Sequence, residues 1–557
     1  MVDEAREALK HAEAILDAHA RSLPLFRLSR DTATLRVLSV CELLYQELPK
    51  RQAATATGGY LLASHLFDGL AYVLRWINSY CPTTAEPQYE PLETAVADAA
   101  NALKWGADYS ALADAHKSYW SGLFKLQYDA DAERFGFDFV DAKYKTRLLA
   151  TEAYRGQTHW NRIDPEPVLD LMGPEVLRHA RRVSRLEVAV DWPRLLNRRT
   201  LEGVQLSLEQ VKHQALPTTW RLYDYTMADL WNAWGAIYAI GFASFIVTVL
   251  LPASDGEGFP LGSCTVVLSR DEWCEWLGSI SGLAPPSVRS ILEDMTCDVA
   301  ATNDEPLIQP FIPLSDGRLA LSAACVVCGD PEHNVVRVIC RTNGRRRAAY
   351  DSLKNEKELL FLAELEREAE GHGLTCRANV TTSQGQIDAL IWDTSSGTLL
   401  VVELKWLLIA RRIHEIREND AQYRHGIEQV QRSMDFLDSM KRQSPQLIWA
   451  GIPLEQVKHI LGIVVSYEEP GWDVNTNPAV PVVEWPFFRD TLKSQPSCDL
   501  ATVHAICRTR PDLEAIACAV SEGHDCIRHG RYTYDLPSVL LDPEKLPAHL
   551  TILKKYG

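Results

Sequence analysis

Apolar residues recur at helical spacing through much of the first 250 positions. Segments 4–19, 35–48, 60–78 and 93–105 all carry the pattern, which predicts a mainly α-helical region. Positions 233–251 form 19 residues without a charge, long enough to span a bilayer. Asp229 and Asn232 precede that run, with no basic flank and no second span. It reads as the central buried helix of a large α-domain, with no membrane involved.

The pattern changes after position 350. Segment 350–371 is an amphipathic helix stopped by Gly371 and Gly373. Segment 387–392 is short, apolar and β-branched or aromatic, and 399–408 is a near-continuous apolar run. Turn formers lie between them, so strand, turn and antiparallel strand are expected. With a loop at 394–397, Asp393 pairs with Thr398, Trp392 with Leu399 and Leu390 with Val401, which sets Asp388 opposite Glu403. Side chains alternate along a strand, so Glu403 and Lys405 share a face roughly 6–7 Å apart, and Asp388 joins them. A one-residue slip would undo this. A second helix at 421–440 carries Ile427, Val430, Met434 and Leu437, with Gln429 beside the stripe. Strands are expected at 459–466 and 480–484.

The run around Glu403 has the character of a strand covered on both faces, where ionised groups are costly unless paired or bound to metal. Two readings follow. One is a buried Glu403–Lys405 ion pair that fixes register, a weak stabiliser. The other is a metal site at the sheet edge. Two carboxylates and a backbone carbonyl suit Mg²⁺, a hard cation that keeps several waters.

Asp388, then 14 residues, then Glu403-Leu404-Lys405 resembles the core motif of the PD-(D/E)XK nuclease superfamily, over roughly residues 350–490. The residue before the Asp, nominally Pro in that motif, is Ile387. The resemblance implies a restriction-endonuclease-like α/β domain with a central mixed sheet, and Mg²⁺-dependent hydrolysis of phosphodiester bonds, with Mn²⁺ able to substitute. It implies Asp388 and Glu403 as metal ligands, with Lys405 positioning water and stabilising developing charge. It also implies a helix glutamate, for which Glu358 is the candidate, because it lies on the face of Phe361, Leu362, Leu365 and Ala369. Glu356 and Glu364 are alternatives. Gln429 matches a helix glutamine that many members carry near the lysine. A second ion would sit about 3.5–4 Å from the first. The implied substrate is nucleic acid, chiefly DNA, and the implied setting is bacterial defence or restriction. The alternative is a silent nuclease fold acting as a nucleic-acid- or protein-binding module.

A chain of 557 residues is too long for one core. The division expected is an α-helical recognition or regulatory domain at 1–262, a helix-turn-helix-like and connecting region at 263–340, the catalytic domain at 341–495 and a helical tail at 496–557. The N-terminal domain would meet a partner protein or a second copy. Net charge is −17, which alone argues against nucleic acid, but 341–442 is neutral and the remainder carries the whole excess. Arg345, Arg346 and Arg347 before the first helix, and Arg411, Arg412 and Arg417 after Lys405, are placed either to hold phosphates or to sit as solvated surface. Thirteen scattered cysteines and no leader segment fit a reducing, cytoplasmic setting.

Three weaker patterns remain. Ser269 and Glu272 form a capping box, and helices on either side of Gly282 and Pro285-Pro286, the second capped by Ser287, resemble a helix-turn-helix that would read DNA. The same pattern is common in plain helical domains. Cys325 and Cys328, with His333 and Cys340, have partial zinc spacing within an apolar stretch. His524, Cys526 and His529 are a looser group. No P-loop, dinucleotide fingerprint or nucleophile elbow is present.

Overall fold

The computed structural model describes residues 2–51, 56–84, 92–141, 165–184, 187–197, 200–201, 216–250, 265–301, 305–329, 331–342, 344–407, 413–467, 479–495, 499–510, 518 and 520–541. The four expected N-terminal helices form, each longer than its apolar pattern: α1 (Val2–Ala20), α2 (Arg30–Arg51), α3 (Ala56–Tyr80) and α4 (Leu92–Trp120). The hairpin β1 (Phe124–Asp129) and β2 (Arg134–Phe139) follows, then α5 (Pro165–His179), the hairpin β3 (Ala180–Ser184) and β4 (Glu187–Val190), and α6 (Trp192–Leu195). The uncharged run forms α7 (Met227–Leu250), the one described helix long and apolar enough to cross a membrane. It is 78% buried inside the protein, packed among other helices as expected.

The expected boundary near 262 does not separate two cores. Strand β5 (Thr265–Leu268), helices α8 (Arg270–Ser281) and α9 (Pro285–Asp294), strands β6 (Phe311–Pro313) and β7 (Leu319–Ser322), and helices α10 (Ala323–Cys328) and α11 (Pro331–Arg341) complete the region. Trp273, Leu277, Val288, Ile291 and Ile339 pack directly on α7 residues such as Trp234 and Ile237. Ala324 and Cys325 enter the core of α2, α3 and α4. The apolar faces of α8, α9 and α11 are too large to leave uncovered, so this segment belongs to the helical body and is no connector.

The second body opens with α12 (Gly344–Gly371). Strands β8 (Thr375–Thr382), β9 (Gly385–Asp393) and β10 (Thr398–Lys405) form an antiparallel meander. Helix α13 (Ile413–Gln443), a short hairpin of β11 (Ile448–Trp449) and β12 (Ile452–Pro453), β13 (His459–Ser466), β14 (Val482–Glu484), α14 (Trp485–Ser494) and α15 (Leu500–Thr509) follow. The five-stranded sheet has the order β14-β13-β10-β9-β8, with β10, β13 and β14 parallel. Phe361, Leu365, Phe488 and Val503 from α12, α14 and α15 cover one face against Leu400, Val402 and Ile463. Tyr423, Val430 and Leu437 of α13 cover the other against Leu399, Val401 and Val464. Burial on both faces is why the β10 sequence reads as a continuous apolar run.

Two further expectations are corrected. The second body does not stop at 495, because Leu500, Val503 and Cys507 of α15 pack on its sheet. Within the expected helical tail, residues 520–541 are not helical. Strands β15 (Val520–His529) and β16 (Tyr532–Leu541) form a hairpin, and β16 pairs in parallel with β2 to give the sheet β1-β2-β16-β15. Alternation such as Tyr532, Tyr534 and Leu536, all buried, is a period of two and favours a strand.

Candidate functional site

The site begins with the turn between β9 and β10. Asp393 accepts hydrogen bonds from the Ser395 amide at 2.9 Å and hydroxyl at 2.7 Å, and its carbonyl accepts from the Gly397 amide at 3.0 Å. Gly397 has φ +74°, and a Cβ there would lie 2.8 Å from the Gln456 carbonyl oxygen. The loop is therefore the four residues 394–397, and Asp393 pairs with Thr398, Trp392 with Leu399 and Leu390 with Val401. The register is the expected one, except that the ladder stops at Val402↔Ala389. Beyond that point the Asp388 carboxylate accepts the Leu404 amide at 2.8 Å. Asp388 and Glu403 thus face each other where the strand pair gives way to a side-chain contact.

Glu403 is 5% exposed. Burial, and then the charge of Asp388, push its carboxyl up to about 7, against the opposing pull of the Lys405 ammonium. Burial also raises Asp388, against the Leu404 amide, the Lys405 charge and a hydrogen bond with Glu403. Lys405 donates to Glu403 Oε1 at 2.7 Å and to Gln429 Oε1 at 3.3 Å, so α13 and β10 hold its ammonium between them. Glu358 keeps an exposed edge on α12, one turn before Phe361 and Leu362. Its carboxyl is raised by desolvation first and by Asp388 second, with Lys405 opposing. Glu358, Asp388, Glu403, Lys405 and Gln429, distant in sequence, therefore converge at the end of β10.

The other two helix glutamates go elsewhere. Glu356 accepts from the Trp220 indole at 2.8 Å, and Glu364 from the Trp485 indole at 2.8 Å. The arginines proposed for phosphates are also engaged. Arg346 bonds Asp294 and Asp224 (2.8 and 3.2 Å), Arg347 bonds Asp351 at 3.1 Å, Arg345 bonds the Tyr223 hydroxyl, and Arg417 donates to the Ser121 carbonyl at 2.8 Å. Through Arg345, Arg346 and Arg417 they tie α12 and α13 to the helical body. Arg411 and Arg412 lie outside the described residues.

The capping box of Ser269 and Glu272 is present, but Ala284, not Ser287, precedes α9. Ser287 and Ser290 bond Asp224, and α9 has Arg289 as its single basic residue. This second helix is built to pack on its neighbours. Cys325 is fully buried, and desolvation pushes its thiol up to about 12, against the thiolate that zinc requires. Cys340 contacts the Tyr350 hydroxyl at 3.6 Å, and the His333 side chain lies outside the described residues. His524 and Cys526 are exposed, whereas His529 is buried against the Trp105 ring. Among the described residues no three His, Cys, Asp or Glu side chains come close enough to make a metal cage unaided.

Two residues beside the site carry no signal in a strand or helix pattern taken alone. Ser466 pairs with Lys405 across the sheet, and its hydroxyl bonds that of Tyr423 at 3.1 Å. Gly426 of α13 faces the Lys405 stem. A glycine inside a long helix is the one cue that could have marked it.

The donor set at β10 is all oxygen: two carboxylates, one raised by burial and then by the other's charge, and a third nearby. That chemistry fits a hard divalent cation, which needs only one or two carboxylates and keeps water in its remaining positions. No family model, no curated protein and no solved structure matches the chain.

Proposed function

We propose that the chain is a metal-dependent nuclease that hydrolyses phosphodiester bonds of nucleic acid, DNA foremost, on a restriction-endonuclease-like domain of the PD-(D/E)XK type. One observation carries the reading: a buried carboxyl pair, with Glu403 pushed up to about 7, is set against a lysine fixed by two side chains. Asp388 and Glu403 would hold Mg²⁺, or Mn²⁺ in its place, with Glu358 as the further carboxylate. When bound, the ion would supply polarisation of the scissile phosphate and neutralise its developing charge.

The chain's own groups do the rest. Glu403 would hold the ion as the carboxylate, and burial and then the charge of Asp388 set its carboxyl at about 7, close to neutral pH. Lys405 Nζ, aimed by Glu403 and Gln429, orients the attacking water and stabilises negative charge on the phosphate oxygens. Asp388 is itself aimed by the Leu404 amide. The helical body would recognise a partner or trigger, and a cytoplasmic defence or restriction role is what the resemblance implies.

The 2.7 Å Glu403–Lys405 contact is also what a plain structural ion pair would look like. That favours the second reading, a silent nuclease fold that binds nucleic acid or protein. Cleavage of plasmid, linear duplex, single-stranded DNA and RNA, with Mg²⁺, Mn²⁺ or EDTA, tests the first reading. Metal-dependent cutting lost in Asp388→Ala and Lys405→Ala supports it. No cutting together with no Mg²⁺ binding by calorimetry sinks it.

A further inference from the structure

Lys405 reaches its two partners through a gap in α13. A Cβ built at Gly426 would lie 3.2 Å from Lys405 Cε and 3.4 Å from both Val464 γ-methyl groups. Gly426 lies inside a helix of 31 residues, where glycine is a poorer choice than alanine because it leaves more backbone freedom to be lost. Its ordinary uses do not apply, since it ends no helix and makes no turn. What the missing methyl provides is room. The lysine stem passes through that room, and its ammonium meets Gln429 one turn further along the same helix.

We infer that Gly426 is a positioning residue: its missing side chain forms the slot that sets the Lys405 ammonium between Glu403 and Gln429. The consequence for cutting rests on the nuclease reading above; the geometric part does not. An added methyl pushes on Cε, which is bonded directly to Nζ. The ammonium then shifts from its shared position by a few tenths of an ångström, and the Val464 γ-methyl groups meet the same added methyl. The helix itself should gain from the replacement, so any loss comes from the crowded lysine or from Val464, and the Lys405→Ala background separates the two.

The experiment compares Gly426→Ala in the wild-type chain and in Lys405→Ala, with two measurements. The first is the rate of Mg²⁺-dependent plasmid cutting. Gly426→Ala is expected to cut at least tenfold more slowly at saturating DNA, with the half-saturating DNA concentration unchanged. The second is the melting temperature in EDTA, which needs no activity. Gly426→Ala is expected to lower it, or leave it unchanged, in the wild-type chain, and to raise it in Lys405→Ala, where the stem is gone and only the 3.4 Å approach to Val464 opposes helix propensity. Cutting at the wild-type rate, or the same melting shift in both backgrounds, overturns the inference while leaving the nuclease reading intact. A wild type that neither cuts nor binds Mg²⁺ removes that reading instead, and the melting comparison still decides whether Gly426 sets the lysine.

Discussion

Replacing Glu403 by Gln should stabilise the metal-free protein at pH 8, the reverse of what removal of an ion-pair partner ordinarily does. The cause is the proton that Glu403 has lost at that pH. Its carboxyl is lifted from 4.5 to about 7 in the folded chain. Between those values the folded state holds more protons than the unfolded one. Stability from this group is therefore full below about pH 4.5, declines as pH rises, and is gone above about pH 7. At about 1.36 kcal/mol per pKa unit the difference is about 3 kcal/mol. The side-chain amide in Glu403→Gln would keep the shape and still accept from Lys405, but would have no proton to lose. It would leave Asp388 and Lys405 as opposite charges, where the wild type adds a second carboxylate.

Thermal melting in EDTA at pH 5 and pH 8 reads this directly. With roughly 2–4 °C per kcal/mol for a domain of 150–250 residues, Glu403→Gln should melt several degrees above wild type at pH 8, with the gap closing toward pH 5. Added Mg²⁺ should then raise the wild type and leave the variant unmoved. A variant that melts well below wild type at pH 8 would refute the reasoning. Breaking a buried pair that stabilises the fold costs about 3–5 kcal/mol, and such a loss would make Glu403–Lys405 a structural contact.

Mg²⁺ affinity, measured by calorimetry, should weaken as pH falls below about 7, because the ion must displace the Glu403 proton; a flat profile from pH 6 to 8 would remove Glu403 from the site. Glu358→Gln should reduce cutting with little change in melting. Glu364→Ala should do the opposite, leaving the Trp485 indole without its acceptor at about 1–3 kcal/mol of stability while cutting persists. Gly397→Ala should lower the melting temperature through its positive φ, worth about 1–3 kcal/mol, and through contact with the Gln456 carbonyl, which circular dichroism melts would register.

The register of β9 and β10 was legible because three local signals agreed: turn chemistry at 393–397, a doubly covered apolar run, and period-two alternation. The helix glutamate was legible only as one of three. Glu356 and Glu364 meet the Trp220 and Trp485 indoles, Glu358 lies within reach of the charge of Asp388, and none of those partners is near in sequence. The boundary at 262 failed for the same reason. Amphipathic faces on α8, α9 and α11 announce that something covers them, but nothing local says that it is α7. The parallel pairing of β16 with β2 joins residues as far apart as Arg134 and Thr533, beyond any local pattern. Arg346 could be read only as phosphate-binding or as solvated surface because its acidic partners, Asp224 and Asp294, come from the helical body.

The chain itself supplies a comparison that bears on why acids stand at the end of β10. Glu484 and Arg510 form another buried pair, and there both carboxylate oxygens meet guanidinium nitrogens, at 2.8 and 3.1 Å. That is how a structural pair is completed: fork to fork, on a planar cation. The β10 cluster is built the other way. Its cation is a single ammonium shared with a glutamine, burial and then the charge of Asp388 raise Glu403, and Asp388 accepts the Leu404 amide where the strand ladder ends. An apolar pair would pack at least as well between two covered faces. On the proposed reading, a bound divalent cation would relieve the unfavourable burial and like charge of this pair. Glu403→Gln would then remove that unfavourable charge and the binding together, so stability and cutting should move in opposite directions at this one residue.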